Sequence, residues 1–80
     1  MHQISIILPM TTEELGKTLL QRRIFLNLKQ EDVAELTGIG TKTIYLIESG
    51  KGNPSLSTLQ KLAGILGMEV SVNVKDLENG

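Results

Sequence analysis

Few residues in this sequence have the types and spacing that covalent or acid–base chemistry requires. Cysteine is absent and His2 is the only histidine. That excludes a thiol nucleophile, a zinc–thiolate site and a disulfide scaffold. A histidine triad or metal cluster cannot assemble around one terminal imidazole. Gly50-Lys51-Gly52 lacks the flanking pattern of a phosphate-cradling P-loop. Arg23 and Glu48 are an isolated base and acid with no nucleophile to serve. The expectation is no enzyme, no cofactor and no metal. What remains is non-covalent: the amide, hydroxyl and ammonium groups gathered between Gln30 and Asn53.

The elements that must position these groups can be traced along the chain. Gln3–Leu8 is β-branched and partly alternating, and Pro9 stops it, so a short strand is expected. Thr11 and Thr12 precede Glu13 and Glu14, which suits a helix start because free N–H groups and the helix dipole favour oxygen and negative charge there. Leu15, Leu19, Arg23 and Leu26 continue at helical spacing, giving a first helix over Thr12–Phe25. A second helix covers Gln30–Thr37 with Val33 and Ala34 inward, and Gly38 ends it. A third covers Thr41–Glu48 with Ile44 and Ile47 inward. Ser49–Pro54 is loop by composition. Ser55 caps a fourth helix, Leu56–Leu66, whose apolar stripe is Leu56, Leu59, Leu62, Ala63 and Leu66. Met68–Val74 alternates with period two and reads as a second strand. Lys75–Gly80 is polar and expected to fray.

Composition sets the limits. Eighty residues make a single domain, residues 1–80, with a helical core over 12–66 and strands at 3–8 and 68–74. So small a domain is a candidate for oligomerisation. Apolar residues are 40% and charged residues 21%, ordinary for a soluble chain. The apolar run Ile6–Leu8, with Ile4 before it, is too short to span a membrane and has no basic segment before it. A soluble, cytoplasmic protein is expected. The net charge of −1 does not announce a polyanion partner. Its distribution does more: between Gly16 and Asn53 six bases face four acids, while the flanks hold two bases and five acids. The central segment is therefore the basic part, and a dimer would double it. The electrostatic drive is still modest, so few phosphate contacts and weak non-specific affinity are expected.

The segment Gln30–Ser49 has a recognisable register. Ala34 is small where two helices must cross closely. Gly38, four residues later, tolerates the conformation of a tight turn. Ile44 and Ile47, ten and thirteen residues after Ala34, anchor the second helix. This is the helix-turn-helix pattern. Leu15–Leu66 resembles the phage-repressor, or Xre-type, helix-turn-helix family. The matching residues are Leu15-Gly16, Arg23, Leu28, Gln30 to Ala34, Gly38-Ile39, Thr43-Ile44, Glu48, Gly50-Lys51 and Asn53 to Leu56, with Leu59. The resemblance implies a mainly α, four-to-five-helix repressor-like domain that binds a palindromic DNA operator as a homodimer. The short chain ending in a strand is similar to HipB-like antitoxins, in which C-terminal strands of two protomers pair across the dimer. An intermolecular sheet is thus expected, although pairing of Gln3–Leu8 with Met68–Val74 of its own chain stays open. Lys29 and Gly40 stand where the family often has hydroxyl caps, which implies weaker capping of helices 2 and 3, by about 1 kcal/mol each at most.

By the same resemblance, helix 3 enters the major groove with Thr41, Lys42, Tyr45 and Leu46 toward the bases. Lys42 would donate to guanine, and Leu46 or the Thr41 methyl would meet a thymine methyl. Gln30, aided by the N-terminal amides of helix 2, is expected on a phosphate, and Thr43, Ser49, Lys51 and Asn53 are further phosphate candidates. The Gly50-Lys51-Gly52 backbone would bring N–H groups to the strand. Plainer roles stand beside these. Thr41 and Thr43 suit a helix start, Ser49 and Asn53 suit a turn, and Lys42 and Tyr45 suit a solvated surface. In the family, Arg23 and Glu48 pair inside the domain as a structural salt bridge.

Leu20, Ile24, Phe25 and Leu36 are apolar at outward positions. Either the N-terminal strand covers them, or they form a dimer or partner surface, for instance for a HipA-like kinase toxin. Two functions follow: a DNA-reading repressor, most simply an antitoxin regulating its own operon, or an interaction module that neutralises a toxin without reading DNA.

Overall fold

A computed structural model describes residues 4–8 and 10–72, with side chains for 10–71. Thr11 opens the first helix. Its hydroxyl accepts from the Glu14 N–H at 3.0 Å and the Glu14 carboxylate accepts from the Thr11 N–H at 3.1 Å, a reciprocal capping box. These bonds hold the Glu14 carboxyl below its usual pKa, the backbone bond from Thr11 contributing most. Helix α1 runs Thr12–Phe25. Helix α2 covers Gln30–Thr37 and ends at Gly38, whose φ of 77° is the left-handed conformation that glycine adopts without strain. Helix α3 covers Thr41–Glu48 and helix α4 covers Leu56–Ile65. Ser55 caps α4 by accepting from the Thr58 N–H at 3.1 Å.

The helices bury one face each. Leu15 and Leu19 from α1, Val33 from α2, Ile44 and Ile47 from α3, and Leu59, Leu62 and Ala63 from α4 form one core with Leu66 and Met68. Ala34 is half-buried at its edge. Leu56 departs from the expected stripe: it is 56% exposed. It is the first residue of α4, beside the capping Ser55, and its side chain stays outside the core that Leu59 and Leu62 fill. The fourth helix also ends one residue early, with Leu66 as its cap.

Gly16 sets the approach of α1 to α3. A methyl group there would collide with the carbonyl oxygens of Ile47 and Glu48. The backbones meet so closely that only a residue without Cβ fits.

Strands β1, Ile4–Leu8, and β2, Met68–Val72, pair in parallel, from Ile4 opposite Met68 to Leu8 opposite Val72. The pairing is within one chain, and the four-helix core is the crossover that parallel strands require. The expected strand residues Gln3, Asn73 and Val74, the stop at Pro9 and the tail from Lys75 lie outside the described residues. No helix among the described residues is long and apolar enough to cross a membrane.

The covering role expected of the N-terminal strand fails for three residues. Ile24 is 61%, Phe25 75% and Leu36 60% exposed, while Leu20 is half-buried. Phe25 instead lies under the Arg22 guanidinium, 5.2 Å from ring centre to cation. Arg22 also donates through Nε to the Leu66 carbonyl at 2.8 Å, which satisfies an otherwise open acceptor at the end of α4.

Candidate nucleic-acid interface

Helix α3 divides its side chains sharply. Ile44 and Ile47 are 1% and 3% exposed and fix its inner face. Thr41, Lys42, Thr43 and Tyr45 are exposed on the remainder, Tyr45 by 55%. None of these four side chains has a hydrogen bond among the described residues. The first turn holds no acid and Gly40 supplies no side-chain cap. The positive end of the helix dipole and the Lys42 ammonium therefore reinforce one another. Leu46 differs from the expected full presentation. It is half-buried and lines a cleft of about 270 Å³ with Thr43, Asn53, Pro54, Ser55 and Thr58.

On the other side of α3 lies a shallower cleft of about 210 Å³, lined by Leu20, Arg23, Gln30, Tyr45, Glu48 and Ser49. Its floor is an ion pair. Arg23 donates through Nε to Glu48 Oε2 at 2.7 Å and through Nη2 to Oε1 at 2.9 Å. The side chains are only 12% and 7% exposed. The Glu48 hydrogen bonds raise the Arg23 pKa above its already high ordinary value, against the opposing effect of burial. Arg23 Nη1 also donates to the Leu28 carbonyl at 2.8 Å. One guanidinium thus joins α1, the α1–α2 connection and the end of α3. Gln30 joins the same carboxylate, its Nε2 donating to Glu48 Oε1 at 3.0 Å.

The structure brings Gln30, Tyr45 and Ser49 to one cleft and Thr43, Leu46 and Asn53 to the other. Thr41, Lys42 and Lys51 are exposed outside both. Three expectations change at the edges of the site. The Gly50-Lys51-Gly52 backbone does not present its N–H groups outward. Gly50 donates to the Ile47 carbonyl, and Lys51 and Gly52 both donate to the Leu46 carbonyl, at 3.0–3.1 Å. These bonds close the C-terminus of α3, where carbonyls lack helical partners. Ser49 likewise spends its hydroxyl proton on the Leu46 carbonyl at 2.9 Å, so its geometry is that of a turn residue. The amides of α2 are also less available than expected: the Asp32 carboxylate accepts from the Lys29 N–H at 2.8 Å, and Glu31 and Asp32 offset the positive end of that helix. Asn53 is exposed and its side chain has no hydrogen bond among the described residues. Lys51 keeps an exposed ammonium.

Two positioning features were not read from the sequence. The Gly16 contact gave no local signal, because its cause is the distant backbone of Ile47 and Glu48. The Thr12 hydroxyl donates to the Gly50 carbonyl at 3.2 Å, tying the start of α1 to the loop that carries Lys51.

With this geometry in view, the comparisons with known proteins agree in kind. The family described as Helix-turn-helix matches residues 19–72, and the chain belongs to it. The chain is 38% identical over 56 residues to the cryptic phage CTXphi transcriptional repressor RstR of Vibrio cholerae, covering 70% of this chain and 50% of that protein. It is 41% identical over 56 residues to the HTH-type transcriptional regulator PuuR of Escherichia coli, covering 70% of this chain and 30% of that protein. An HTH-type transcriptional regulator of Methanocaldococcus jannaschii is 43% identical over 44 residues, 55% of this chain and 67% of its own length. The chain thus spans half or less of the first two relatives.

Proposed function

We propose that this chain is a sequence-specific, DNA-binding transcriptional repressor that acts as a homodimer on a palindromic operator. The observation that carries the reading is the outward face of α3. Thr41, Lys42, Thr43 and Tyr45 are exposed and, among the described residues, make no side-chain hydrogen bond, on a helix whose inner face is locked by Ile44 and Ile47. Such a helix fits a major groove: Lys42 donates to guanine O6 or N7, and the Thr41 methyl or the accessible part of Leu46 meets a thymine methyl. Gln30, Thr43, Lys51 and Asn53 serve the phosphates. Ser49, with its proton engaged, contributes only as an acceptor or through the turn. The relatives named as a repressor and as transcriptional regulators support the same class. Two-fold symmetry would set half-sites about 34 Å apart.

The finer reading is a HipB-like antitoxin that represses its own operon, with the β1–β2 ribbon continued into an intermolecular sheet and a HipA-like kinase toxin as partner. The exposed Ile24, Phe25 and Leu36 favour a protein partner of some kind. They equally suit the alternative, a toxin-neutralising module that does not read DNA.

Fluorescence anisotropy separates these. A labelled duplex from upstream of the chain's own coding sequence is titrated at two salt concentrations against a scrambled competitor. A repressor prefers its own duplex, and Lys42→Ala weakens that binding by about 1–3 kcal/mol. Equal, weak binding to both duplexes, unaltered by Lys42→Ala, would reject DNA reading in favour of the protein-binding module.

A further inference from the structure

The Arg23–Glu48 pair explains why α1 and α3 stay together, but it does not explain the third bond that Glu48 makes. Glu48 Oε1 accepts from Gln30 Nε2 at 3.0 Å as well as from Arg23 Nη2 at 2.9 Å. Gln30 is the first residue of α2 and is half-buried at the cleft that also holds Tyr45. We infer that Glu48 is a positioning residue for DNA recognition, acting through the amide of Gln30 at the mouth of this cleft. The inference rests on the DNA-binding reading above.

The chemistry of the two groups forces the orientation. An ionised carboxylate only accepts, so the amide nitrogen, and not its carbonyl, must face Glu48. One Nε2 proton is then committed inward and the second remains as a donor. A free glutamine would turn its amide either way, and the carbonyl end would repel a phosphate. Glu48 removes that freedom before DNA arrives. The bidentate Arg23 contact neutralises the carboxylate, so the holder does not itself repel the backbone. The two roles of Glu48 are thus separable: Arg23 makes the pair a structural tie, and Gln30 makes it part of the interface. Ordering one such side chain in advance is worth about threefold to tenfold in affinity.

A coupling experiment separates positioning from stability. Removing one partner of a mostly buried pair is destructive, whereas replacing both by apolar residues is often tolerated. The full chain is therefore prepared as wild type, Gln30→Ala, Arg23→Met/Glu48→Met, and the triple variant. Binding to the chain's own upstream duplex and to a scrambled duplex is measured beside thermal unfolding. In the wild-type background Gln30→Ala should weaken specific binding about tenfold. The salt slope should not move, because no cation is lost. In the Met/Met background the same change should cost less than about threefold, although the fold is retained. An equal cost in both backgrounds would overturn the positioning role and leave the DNA-binding reading standing. A wild type that does not prefer its own duplex would sink both. If the Met/Met variant does not fold, the wild-type Gln30 side-chain amide decides by NMR. One Nε2 proton should be shifted downfield in the free protein, and the other should move when the duplex is added. Two protons at the positions of a free glutamine, unmoved by DNA, would overturn the inference.

Discussion

The outer helices and the inner pair are held in different ways. Helices α1 and α4 begin at Thr11 and Ser55, whose hydroxyls accept from the chain three residues on. Helices α2 and α3 begin at Lys29 and Gly40, which supply no side-chain cap. Each of the inner helices is only eight residues long, too short to be stable alone. Their hold is tertiary: Val33, Ile44 and Ile47 in the core, the Arg23–Glu48 pair, and the close seat at Gly16. The scaffold therefore rests partly on local signals, while the pair that meets DNA in the proposed function is kept in place by the rest of the molecule. At the start of α2, Asp32 supplies a local substitute for the missing cap by accepting from the Lys29 N–H.

That contrast is open to direct attack, beginning where the effect is greatest. Glu48→Ala leaves the mostly buried Arg23 without its carboxylate and should cost about 3–5 kcal/mol of unfolding free energy, measured by urea denaturation. Gly16→Ala drives a methyl into the α3 carbonyls and should cost about 3 kcal/mol, with a fall in thermal midpoint to match. Ser55→Ala tests the local side of the comparison and should cost about 1 kcal/mol. A Ser55→Ala loss as large as that of Glu48→Ala would erase the distinction. Gly40→Ser should be stabilising, by about 0.5 kcal/mol. Gly40 has φ of −64° and open space where a Cβ would sit, so a cap can be installed without strain.

The smallest effect concerns pH. The Glu14 carboxyl is lowered in the folded state by its bonds to Thr11. Its stabilising contribution is therefore present above the pKa of the unfolded chain and is lost as pH falls through the folded value. Glu14→Ala should lower the thermal midpoint at neutral pH, and the difference from wild type should narrow as the solution is acidified. A constant difference down to strongly acidic pH would contradict the capping box as its source.

The sequence is most legible where a feature is local. The bounds of α1, α2 and α3 follow from Thr11 with its acids, from the apolar spacing, and from Gly38. Leu56 misled because periodicity assigns a face without regard to where the core ends. The loop Gly50–Gly52 misled because composition marks a turn but does not say which way its N–H groups point. Arg23 and Glu48 lie on different helices, and only the family resemblance suggested their pairing. The Gln30 bond to Glu48, like the seat at Gly16, joins elements far apart in the chain, so neither periodicity nor capping rules signal it. The residues of the candidate interface could be named from the sequence through the family resemblance. Its internal wiring could not.

The most direct measurement is an NMR titration of the isotopically labelled chain with its own upstream duplex, followed residue by residue. The largest shifts should fall on Thr41, Lys42 and Tyr45 of α3, with Gln30 and Lys51 beside them, while Phe25, Arg22 and Met68 remain where they were. Shifts centred on Phe25, Arg22 and Met68, with the outward face of α3 unmoved, would contradict α3 as the reading element.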